Sequence, residues 1–565
     1  MRMGFCLAGV LLATVSHASM VLAQDRFEVL LKPGAADQPD GIGHLDVTLR
    51  VTGVDAAPGA PLLTLPVVIA NTETVAATLK DLKATDAAGD VPLTYKDDPV
   101  SLVYARHWSA TRPVKGDLIV SYRAPIDNTP PKRGSGPPYQ LRTEGGGLSA
   151  VGNTFILLPE NEKPYDVKVR WELGALGAGA AATSSYGDGD VSLGVGSAGR
   201  LARTVFMAGP MHRYPATAGS GGFSAVWLGT PPFDPAPTMV WTEKLHGWMT
   251  KFFRDPAEPP YRVFLRYNPI NAGGGAALTN SFLTTYGKTG SGEALKGTLA
   301  HEMIHTWTSV DGPGQWFGEG NAVFYQGLLP MRAGLLSPDD YLADLNETAR
   351  RYYSNALNDT PNDQIAPRFW EDTRIRVLPY DRGAMYFAVL DGQIRKASGG
   401  KRSVDDLVIE MVERERKGLP TDEAAWLSLL TNELGQAGAD THAAMLRGAL
   451  MLPEPDGFGP CFTRTTGKVR RFDLGFDAKS LVGDVKTIRD LKPDSEAAKA
   501  GLRNGDVVTY AQALDGVQGD PQAKLTLQVT RDGNTFPISY LPRGEEVEIY
   551  QWARVAGVPD SACAR

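Results

Sequence analysis

The fold of this chain is organised around one stretch, Gly297-Thr298-Leu299-Ala300-His301-Glu302-Met303-Ile304-His305-Thr306-Trp307. No proline or glycine interrupts it between Thr298 and Trp307, so it predicts a helix. Residues four apart share a helix face, which places His301 and His305 side by side. Two imidazoles on one face suit a zinc ion, and Glu302 between them is placed to activate a water molecule there. The stretch therefore predicts an HExxH zinc site; the alternative is a buried helix that carries two hydrogen-bonded histidines.

A catalytic zinc site needs a third protein ligand, and the next segment supplies a candidate. Residues 315–325 form a mostly apolar run of helix length in which Glu319 is the only acidic residue. A turn signal, Asp311-Gly312-Pro313-Gly314, stands just before it. We therefore predict a helix, a tight turn and a second helix, with Glu319 facing back to form a His2Glu site. Asp311 is a rival third ligand, disfavoured by its place in the turn, and a solvated surface carboxylate is the alternative for Glu319.

Length and composition bound the class of protein. A chain of 565 residues is too long for one core, so several domains are expected. Its hydrophobic content of 42% and charged content of 21% are ordinary for a globular protein. The net charge is −7 and no basic run occurs, so we expect no nucleic-acid partner.

The first residues are typical of a secretory signal. Arg2 gives the positive start, Phe5 to Val15 is a short apolar run, and Val21-Leu22-Ala23 is a small-x-small cleavage site. We therefore predict a signal peptide over 1–23, with 16–18 as an alternative cleavage site. The apolar run is short for a membrane anchor, so no stable span is expected after signal removal. The mature protein is then periplasmic or secreted, in an oxidising compartment.

Cysteine usage agrees with that compartment. Cys6 leaves with the signal, and Cys461 and Cys563 remain as an even pair. We predict a disulfide between them, against the alternative of two free thiols. No histidine neighbours either cysteine, which argues against a zinc role.

Patterning along the chain divides the mature protein into three parts. Residues 24–204 are strand-like and predict a β-sandwich-like N-terminal domain; His44 to Val51, for example, alternates with its apolar side chains on one face. Residues 205–452 predict a catalytic domain, in which Tyr261 to Tyr267 alternates as a strand, Asn271 to Ala277 is a flexible turn and 337–450 are helical. Residues 453–565 are β-rich, with a hairpin signal at Asp532-Gly533-Asn534.

Tyr380 stands at a turn that opens a helix, Leu378-Pro379-Tyr380-Asp381. From such a position a hydroxyl can donate a hydrogen bond to the oxyanion that forms when water attacks a carbonyl. From spacing alone, a tyrosine that caps a core is the alternative.

Several motifs together resemble the glycyl aminopeptidase family of gluzincin zinc metallopeptidases. They are His301-Glu302-Met303-Ile304-His305-Thr306-Trp307, Trp316-Phe317-Gly318-Glu319-Gly320, Tyr380-Asp381-Arg382-Gly383, Leu474-Gly475-Phe476 and residues 497–506. The last two resemble the carboxylate-binding loop and the most recognisable stretch of a PDZ domain. The resemblance implies a multidomain α+β protein with a β-sandwich-like N-terminal domain, a thermolysin-like catalytic domain with a helical C-terminal half, and a PDZ-like C-terminal domain.

The resemblance also implies roles for individual residues. His301, His305 and Glu319 are the expected Zn2+ ligands, Glu302 the base and Tyr380 the donor to the transition state. A strand such as Tyr261 to Tyr267 forms the edge of the cleft in thermolysin-like folds, where it pairs with an extended substrate.

Two departures from the family pattern bear on function. The spacer between His305 and Glu319 is shorter than is usual in the family, so the turn must be tight. The family's Gly-Gly-x-Glu loop, whose Glu holds the free amino group of the substrate, resembles Gly274-Gly275-Ala276-Ala277 here. An alanine cannot pair with an ammonium, so the departure affects aminopeptidase specificity and leaves hydrolysis intact.

The sequence therefore predicts a zinc metallopeptidase that acts on peptide substrates. One alternative is an endopeptidase or another specificity, because the amine anchor is replaced by Ala277. A second alternative is a non-catalytic scaffold whose PDZ-like domain binds a peptide C-terminus. Glu302 argues against the scaffold, since binding alone has no need of a water activator.

Overall fold

A computed structural model describes residues 24–35, 41–101, 103–129, 139–217, 222–257, 259–269, 272–308 and 313–563. The predicted signal peptide over 1–23 and the rival ligand Asp311 lie outside these ranges. Within these ranges, no helix combines the length and the apolar character needed to cross a lipid bilayer.

The first part of the chain is built from β-strands. They are β1 Arg26–Ala35, β2 Ile42–Ala56, β3 Pro61–Ile69, β4 Thr72–Glu73, β5 Lys80–Asp86, β6 Gly89–Asp90, β7 Leu93–Asp97, β8 Tyr104–Ala110, β9 Val114–Pro125, β10 Arg142–Glu144, β11 Gly147–Val151, β12 Leu158–Pro159, β13 Pro164–Trp171, β14 Ala181–Ser184, β15 Gly187–Asp188, β16 Val191–Ser197 and β17 Val205–Gly209. One sheet has the order β16-β13-β1-β2-β9-β5-β6, and a second has the order β12-β3-β8-β7 with β4 beside β3. Side chains of both sheets bury one common core, which is the arrangement of a β-sandwich.

Strand β2 shows why the sequence pattern was informative here. Leu45, Val47, Leu49 and Val51 are all buried, as the alternation predicts. β2 pairs antiparallel with β1 on one side and β9 on the other, so it lies in the middle of its sheet. A strand with one face on a core and one face toward solvent alternates in this way.

A third sheet, β10-β11-β17-β14-β15, connects the sandwich to the catalytic part. The predicted boundary at 204/205 falls immediately before β17, which pairs with β11 and β14. Met207 of β17 shares a buried cluster with Phe264 and Leu283 of the following sheet, so an apolar contact joins the two sheets.

The sheet of the catalytic part has the order β18-β19-β20-β22-β21. Its strands are β18 His212–Tyr214, β19 Phe223–Trp227, β20 Tyr261–Tyr267, β21 Gly275–Leu278 and β22 Ser281–Tyr286. The prediction that Tyr261 to Tyr267 forms the cleft edge is therefore wrong, because β20 is internal and pairs on both sides. The edge strand is β21, over residues predicted as a flexible turn. Its small residues gave no strand pattern, and pairing with β22 sets its conformation.

The remainder of the catalytic part is helical, as predicted. Its helices are α1 Ala236–Phe252, α2 Lys296–Ile304, α3 Gln315–Arg332, α4 Pro338–Tyr353, α5 Ile365–Arg368, α6 Thr373–Arg376, α7 Leu378–Ser398, α8 Val404–Arg416, α9 Glu423–Leu434 and α10 Gln436–Leu446. Helix α4 begins after Ser337, whose hydroxyl accepts a hydrogen bond from the Asp340 amide, and Pro338 takes the first helical position.

Helices α3 and α7 approach each other through two glycines. A Cβ built on Gly320 would lie 2.7 Å from the Cα of Gly383, so neither position accepts a side chain without a shift of the backbone. This close contact brings the first turn of α7 beside the first turns of α3, the part of α3 that carries Glu319.

The C-terminal part consists of a two-stranded ribbon and a small domain. A two-stranded ribbon, β23 Phe462–Phe472 with β28 Arg543–Arg554, packs with Phe462 and Trp552 on the core of the catalytic part. The remaining elements are β24 Lys486–Thr487, α11 Glu496–Lys499, β25 Val507–Thr509, α12 Leu514–Gly519, β26 Leu525–Arg531 and β27 Asn534–Tyr540, which bury a core of their own. The chain therefore enters and leaves this small domain through the ribbon.

The predicted disulfide is present. Cys461 and Cys563 are bonded across 102 positions of sequence, at the base of the ribbon. Both residues are buried in the core of the catalytic part, so the bond fixes the end of the chain to that core.

Candidate metal centre

The two histidines lie at the end of α2. The predicted helix was expected to reach Trp307, but it ends at Ile304 and His305 is its C-cap. The amides of Thr306 and Trp307 donate to carbonyls three residues back, which tightens the last turn. His305 keeps a helical backbone, with φ −63° and ψ −11°, and the two imidazole centroids are 5.2 Å apart.

The early helix end has a packing cause. The Trp307 ring stacks on Phe253 at 5.0 Å, and its Nε1–H donates to the Asp255 carboxylate at 2.9 Å. The chain turns after Ile304 to place this ring in the core. The short spacer before Glu319 still allows α3 to place Glu319 beside both histidines.

Glu319 meets both histidines. Its Oε2 atom lies 3.3 Å from His301 Nε2 and 3.4 Å from His305 Nε2. A tetrahedral zinc ion with bonds of about 2.0–2.1 Å separates neighbouring ligand atoms by about 3.3–3.4 Å. Among the described residues, this is the one group of histidine, cysteine or acidic side chains that could hold a metal ion, with ligand atoms within 4.8 Å of one another. The donor set and its spacing therefore fit zinc.

The Nδ1 atom of His301, on the side away from Glu319, has a defined hydrogen-bond partner. Its Nδ1–H donates to Gln326 Oε1 at 3.0 Å, and Gln326 Nε2 donates in turn to Asp344 Oδ1 at 2.8 Å. Because the amide donates to Asp344, its oxygen must face the imidazole, and this leaves the Nε2 lone pair of His301 free to bind a metal. Sequence reasoning missed both residues. The one signal was that Gln326 follows Glu319 by seven positions, about two helical turns on the same face.

Charges within the cluster attract one another. Although burial opposes it, the contact with Glu319 raises the pKa of His301 to about 9, and the two histidines hold the pKa of Glu319 well below its usual range. Two imidazoles and one carboxylate therefore form a compact cluster in which a cation and protons compete for the same atoms.

Glu302 faces the edge strand β21. The Ala277 backbone amide donates a hydrogen bond to its carboxylate. Burial raises the pKa of Glu302 above its usual value, although His301, His305 and the Ala277 amide oppose the shift. A carboxylate with a raised pKa suits a group that must take up and release a proton.

Tyr380 completes the group from the first turn of α7. Its ring lies nearly parallel to that of His301, with centroids 6.0 Å apart, and its hydroxyl donates to Glu319. Burial, followed by the charges of Glu319 and Glu302, raises the pKa of Tyr380 well above its usual value. The hydroxyl therefore keeps its proton and stays a hydrogen-bond donor. All five predicted site residues meet at one place.

Comparison with known proteins identifies a solved structure with a similar fold. No family model matches the sequence, and no curated protein matches it. Among solved structures, the aminopeptidase N family protein from Idiomarina loihiensis is similar, with a TM-score of 0.64 and 15% identity over 92% of this chain and 97% of that chain. The two chains share a fold.

Two further solved structures are similar at lower scores. An M1 zinc metallopeptidase from Deinococcus radiodurans has a TM-score of 0.44 and 15% identity over 76% of this chain and 95% of that chain. The yeast LTA4 hydrolase has a TM-score of 0.47 and 12% identity over 76% of this chain and 69% of that chain.

Proposed function

We propose that this protein is a zinc-dependent peptidase that resembles the glycyl aminopeptidases. One observation carries the proposal: Glu319 lies at tetrahedral spacing from His301 and His305, with Glu302 and Tyr380 at the same place. A structural zinc site is normally closed by four protein ligands, whereas three protein ligands beside a partly buried carboxylate and a phenol suit catalysis.

Each side chain has one task in this proposal. Zinc, when bound, would polarise the scissile carbonyl and lower the pKa of a water molecule. Glu302 takes the proton of the attacking water on its carboxylate and then passes it to the leaving amine. The Tyr380 hydroxyl donates a hydrogen bond to the carbonyl oxygen as that oxygen gains negative charge. Gln326 keeps the His301 ring in one tautomer throughout.

The edge strand β21 supports the choice of a peptide as substrate. An extended peptide can add to an exposed strand edge through main-chain hydrogen bonds. Strand β21 ends its sheet, and its Ala277 amide lies at the base Glu302. A peptide that lies along β21 therefore passes the carboxylate that has to reach its scissile bond.

Cleavage of a peptide library tests the proposal. We expect purified mature protein to cleave peptides, a chelator to stop cleavage, and zinc to restore it; mass spectrometry of the products maps the bond that is cut. The control is Glu302→Gln under the same conditions, because it retains the ligands and lacks the base. Equal cleavage by wild type and Glu302→Gln would assign the activity to a contaminant and refute the proposal.

Ala277 favours a second candidate, an enzyme without a strict need for a free amino group. A charge-assisted hydrogen bond to an ammonium contributes about 1.5–3 kcal/mol, and the methyl group of Ala277 cannot supply it. We therefore expect acetylation of a substrate's N-terminus to lower kcat/KM less than about ten-fold. A loss of a hundred-fold or more would show that an amine anchor exists elsewhere.

A variant pair makes this test sharper. Ala277→Glu should increase the preference for a free amine over an acetylated one. Ala276→Glu is the matched control, because successive side chains of a strand point to opposite faces. The same increase in both variants would mean that an added charge acts at long range and not as an anchor.

We also propose a periplasmic or secreted location, and a PDZ-like fold for the C-terminal domain predicted over 453–565, whose own buried core lies within residues 472–540. The Cys461–Cys563 bond supports the first, since disulfides persist in oxidising compartments. The order of the loop Leu474-Gly475-Phe476, the short helices α11 and α12 and the hairpin β26–β27 supports the second. N-terminal sequencing of the exported protein tests the location: a mature chain that begins at Gln24 is expected, and a chain that keeps Met1 would contradict it.

A further inference from the structure

The small C-terminal domain turns Leu474, the segment 478–483 and the first residue of α12 toward the catalytic part. A cavity of only about 40 Å³ remains between them. Leu474, Leu481 and Leu514 line it from the small domain, and Trp370 and Arg376 line it from the catalytic part. Lys479 Nζ also meets Glu371 Oε2 across this contact at 3.4 Å. The face that a PDZ-like domain would offer to a peptide is therefore covered by the protein's own catalytic part.

Backbone groups on this face are already used. The Gly475 amide, which a peptide carboxylate would need, donates to the Asp473 side chain at 2.9 Å. The following residues form a 3-10 helix over Ala478–Leu481, and none of the described residues 473–485 belongs to a strand. A peptide that adds as a strand has no strand edge to pair with here. The contacts favour a partner within the same chain.

Asp515 is the charged centre of the contact. It lies in α12, and its carboxylate accepts from Arg376 Nε at 3.1 Å and from Arg376 Nη2 at 2.5 Å. The Thr373 hydroxyl donates to the same carboxylate. Thr373 and Arg376 are the first and last residues of α6, so one side chain of the small domain holds both ends of this helix.

Helix α6 leads directly into the helix that carries Tyr380. Val377 is at once the C-cap of α6 and the N-cap of α7, and Tyr380 is the third residue of α7. No flexible linker separates Arg376 from the catalytic hydroxyl. A shift of α6 is therefore carried into the position of that hydroxyl.

A second contact fixes the same turn from α4. Arg351 donates to both oxygens of Asp381, at 2.8 and 2.5 Å, and Asp381 is the fully buried neighbour of Tyr380. The preceding residue, Arg350, donates to the Gly519 carbonyl at the end of α12 at 2.9 Å. Helix α12 therefore supports the start of α7 by two routes, one through α6 and one through α4.

We infer that the small C-terminal domain completes the active site, and that Asp515 is a positioning residue for Tyr380. The inference rests on the proposed peptidase function. The hydrogen bonds of Asp515 described above are with Thr373 and Arg376, neither of which is a metal ligand. Asp515 holds α6, and α6 holds the donor that serves the transition state.

Kinetics of the full-length protein test the inference. With the best-cleaved library peptide, Asp515→Asn should lower kcat about ten-fold while KM changes less than about two-fold, because the lost interaction acts in the transition state. In a Tyr380→Phe background, Asp515→Asn should have less than about a two-fold further effect, since the hydroxyl it positions is gone. Arg376→Gln tests the same pair from the catalytic side and should behave alike. Zinc content should equal that of wild type in all of these variants.

Lys479→Ala is the matched control. It removes an ion pair across the same contact that does not involve α6, so kcat should stay within about two-fold of wild type. A normal kcat for both Asp515→Asn and Arg376→Gln would overturn the inference. So would an equal loss in the wild-type and Tyr380→Phe backgrounds, because a general loosening of the fold acts without regard to the hydroxyl.

Hydrogen exchange measured on the zinc-free protein gives a readout that needs no activity. Asp515→Asn should speed exchange of amides in residues 373–384 and leave α2, residues 296–304, unchanged. Unchanged exchange at 373–384 would overturn the inference. If wild type cleaves no peptide at all, the proposed function fails, and hydrogen exchange alone then decides whether α12 holds the start of α7.

Discussion

Two of the histidine–carboxylate clusters in the described residues differ in their ability to hold a metal ion. In the N-terminal sandwich, His107 donates from Nδ1 to Glu160 at 2.8 Å and from Nε2 to Asp98 at 3.2 Å. In the catalytic part, two imidazole nitrogens approach one oxygen of Glu319 at 3.3 and 3.4 Å. The distances are alike, but the directions differ.

The two clusters differ in whether their ligand atoms face one common point. The two nitrogens of one imidazole point away from each other, so Glu160 and Asp98 cannot share one ion with His107. The side chain of His107 is also 27% exposed, whereas that of His305 is 6% exposed. A partly exposed group of charges of this kind neutralises charge at a surface, whereas a largely buried cluster whose ligand atoms face one point leaves a place for a cation. Histidine and carboxylate in contact are therefore weak evidence for a metal site unless their ligand atoms face one point.

The largest loss of activity is expected from a change at Glu302, whose carboxylate lies beside the three metal-ligating side chains and is not itself a ligand. Glu302→Gln should lower kcat by about 10²–10⁴-fold, because the amide cannot accept and return a proton. Zinc content, measured on the purified protein, should stay at about one ion per chain. Loss of the metal together with activity would instead show that Glu302 is a ligand, and the distinction between the metal ligands and the adjacent base would fail.

Removal of a converging ligand should be the next largest effect. Loss of a residue that hydrogen-bonds to a metal ligand typically weakens metal binding about 10–100-fold. Glu319→Ala removes a ligand itself and should weaken zinc binding by more than this. Glu160→Ala, the corresponding change in the other cluster, should leave zinc binding unchanged. Competition with a chelator of known affinity measures both. Full zinc affinity in Glu319→Ala would leave the third ligand unidentified.

Gln326 should have a smaller effect because it acts through His301. Gln326→Leu removes the acceptor that fixes the ring, and we expect zinc affinity to fall about 10–100-fold. Gln326→Glu retains the acceptor for His301 but loses the donor to Asp344, so it should restore only part of the affinity. The same chelator titration gives the result, and wild-type affinity in Gln326→Leu would show that the ring needs no outer partner.

The smallest effect concerns the surface cluster and depends on pH. The hydrogen bond to Glu160, together with Asp98, raises the pKa of His107 above its usual value. This contribution to stability is complete below the unfolded pKa of about 6.5 and is lost as pH rises through the folded pKa. Glu160→Gln should therefore lower stability below pH 6.5 by less than about 1 kcal/mol, since solvent screens the pair, and by less at alkaline pH.

Thermal melting at several pH values measures this difference. A gap between wild type and Glu160→Gln that widens as pH rises would contradict the sign of the shift. The metal centre should show no such dependence on Glu160, since the two clusters lie in different domains.

Sequence patterns predicted the parts of this molecule that are local. The alternation of β2 was readable because one face is buried, and the start of α4 was readable because Ser337 and Pro338 act within one turn. The spacing of His301 and His305 fixes their common face in any helix. The placement of Glu319 also followed from a local pattern, one acidic residue in an apolar run.

Features that depend on distant partners were not predictable in this way. Strand β21 has no strand pattern of its own, and its edge position depends on β22 and on the order of the whole sheet. Asp344 supports the metal centre from 18 positions beyond Gln326, in another helix. Asp515 reaches Arg376 across 139 positions, which no periodicity reports.

The ribbon of β23 and β28 makes the small C-terminal domain an insert in the topological sense. Phe472 and Arg543 lie opposite each other where the domain begins and ends, and the Cys461–Cys563 bond closes the frame outside them. A short hairpin turn between these two strands would excise the domain without opening that frame. Related enzymes could therefore exchange this domain at the single junction formed by Phe472 and Arg543. The incoming domain would need an acidic residue at the position of Asp515 to keep the contact with α6.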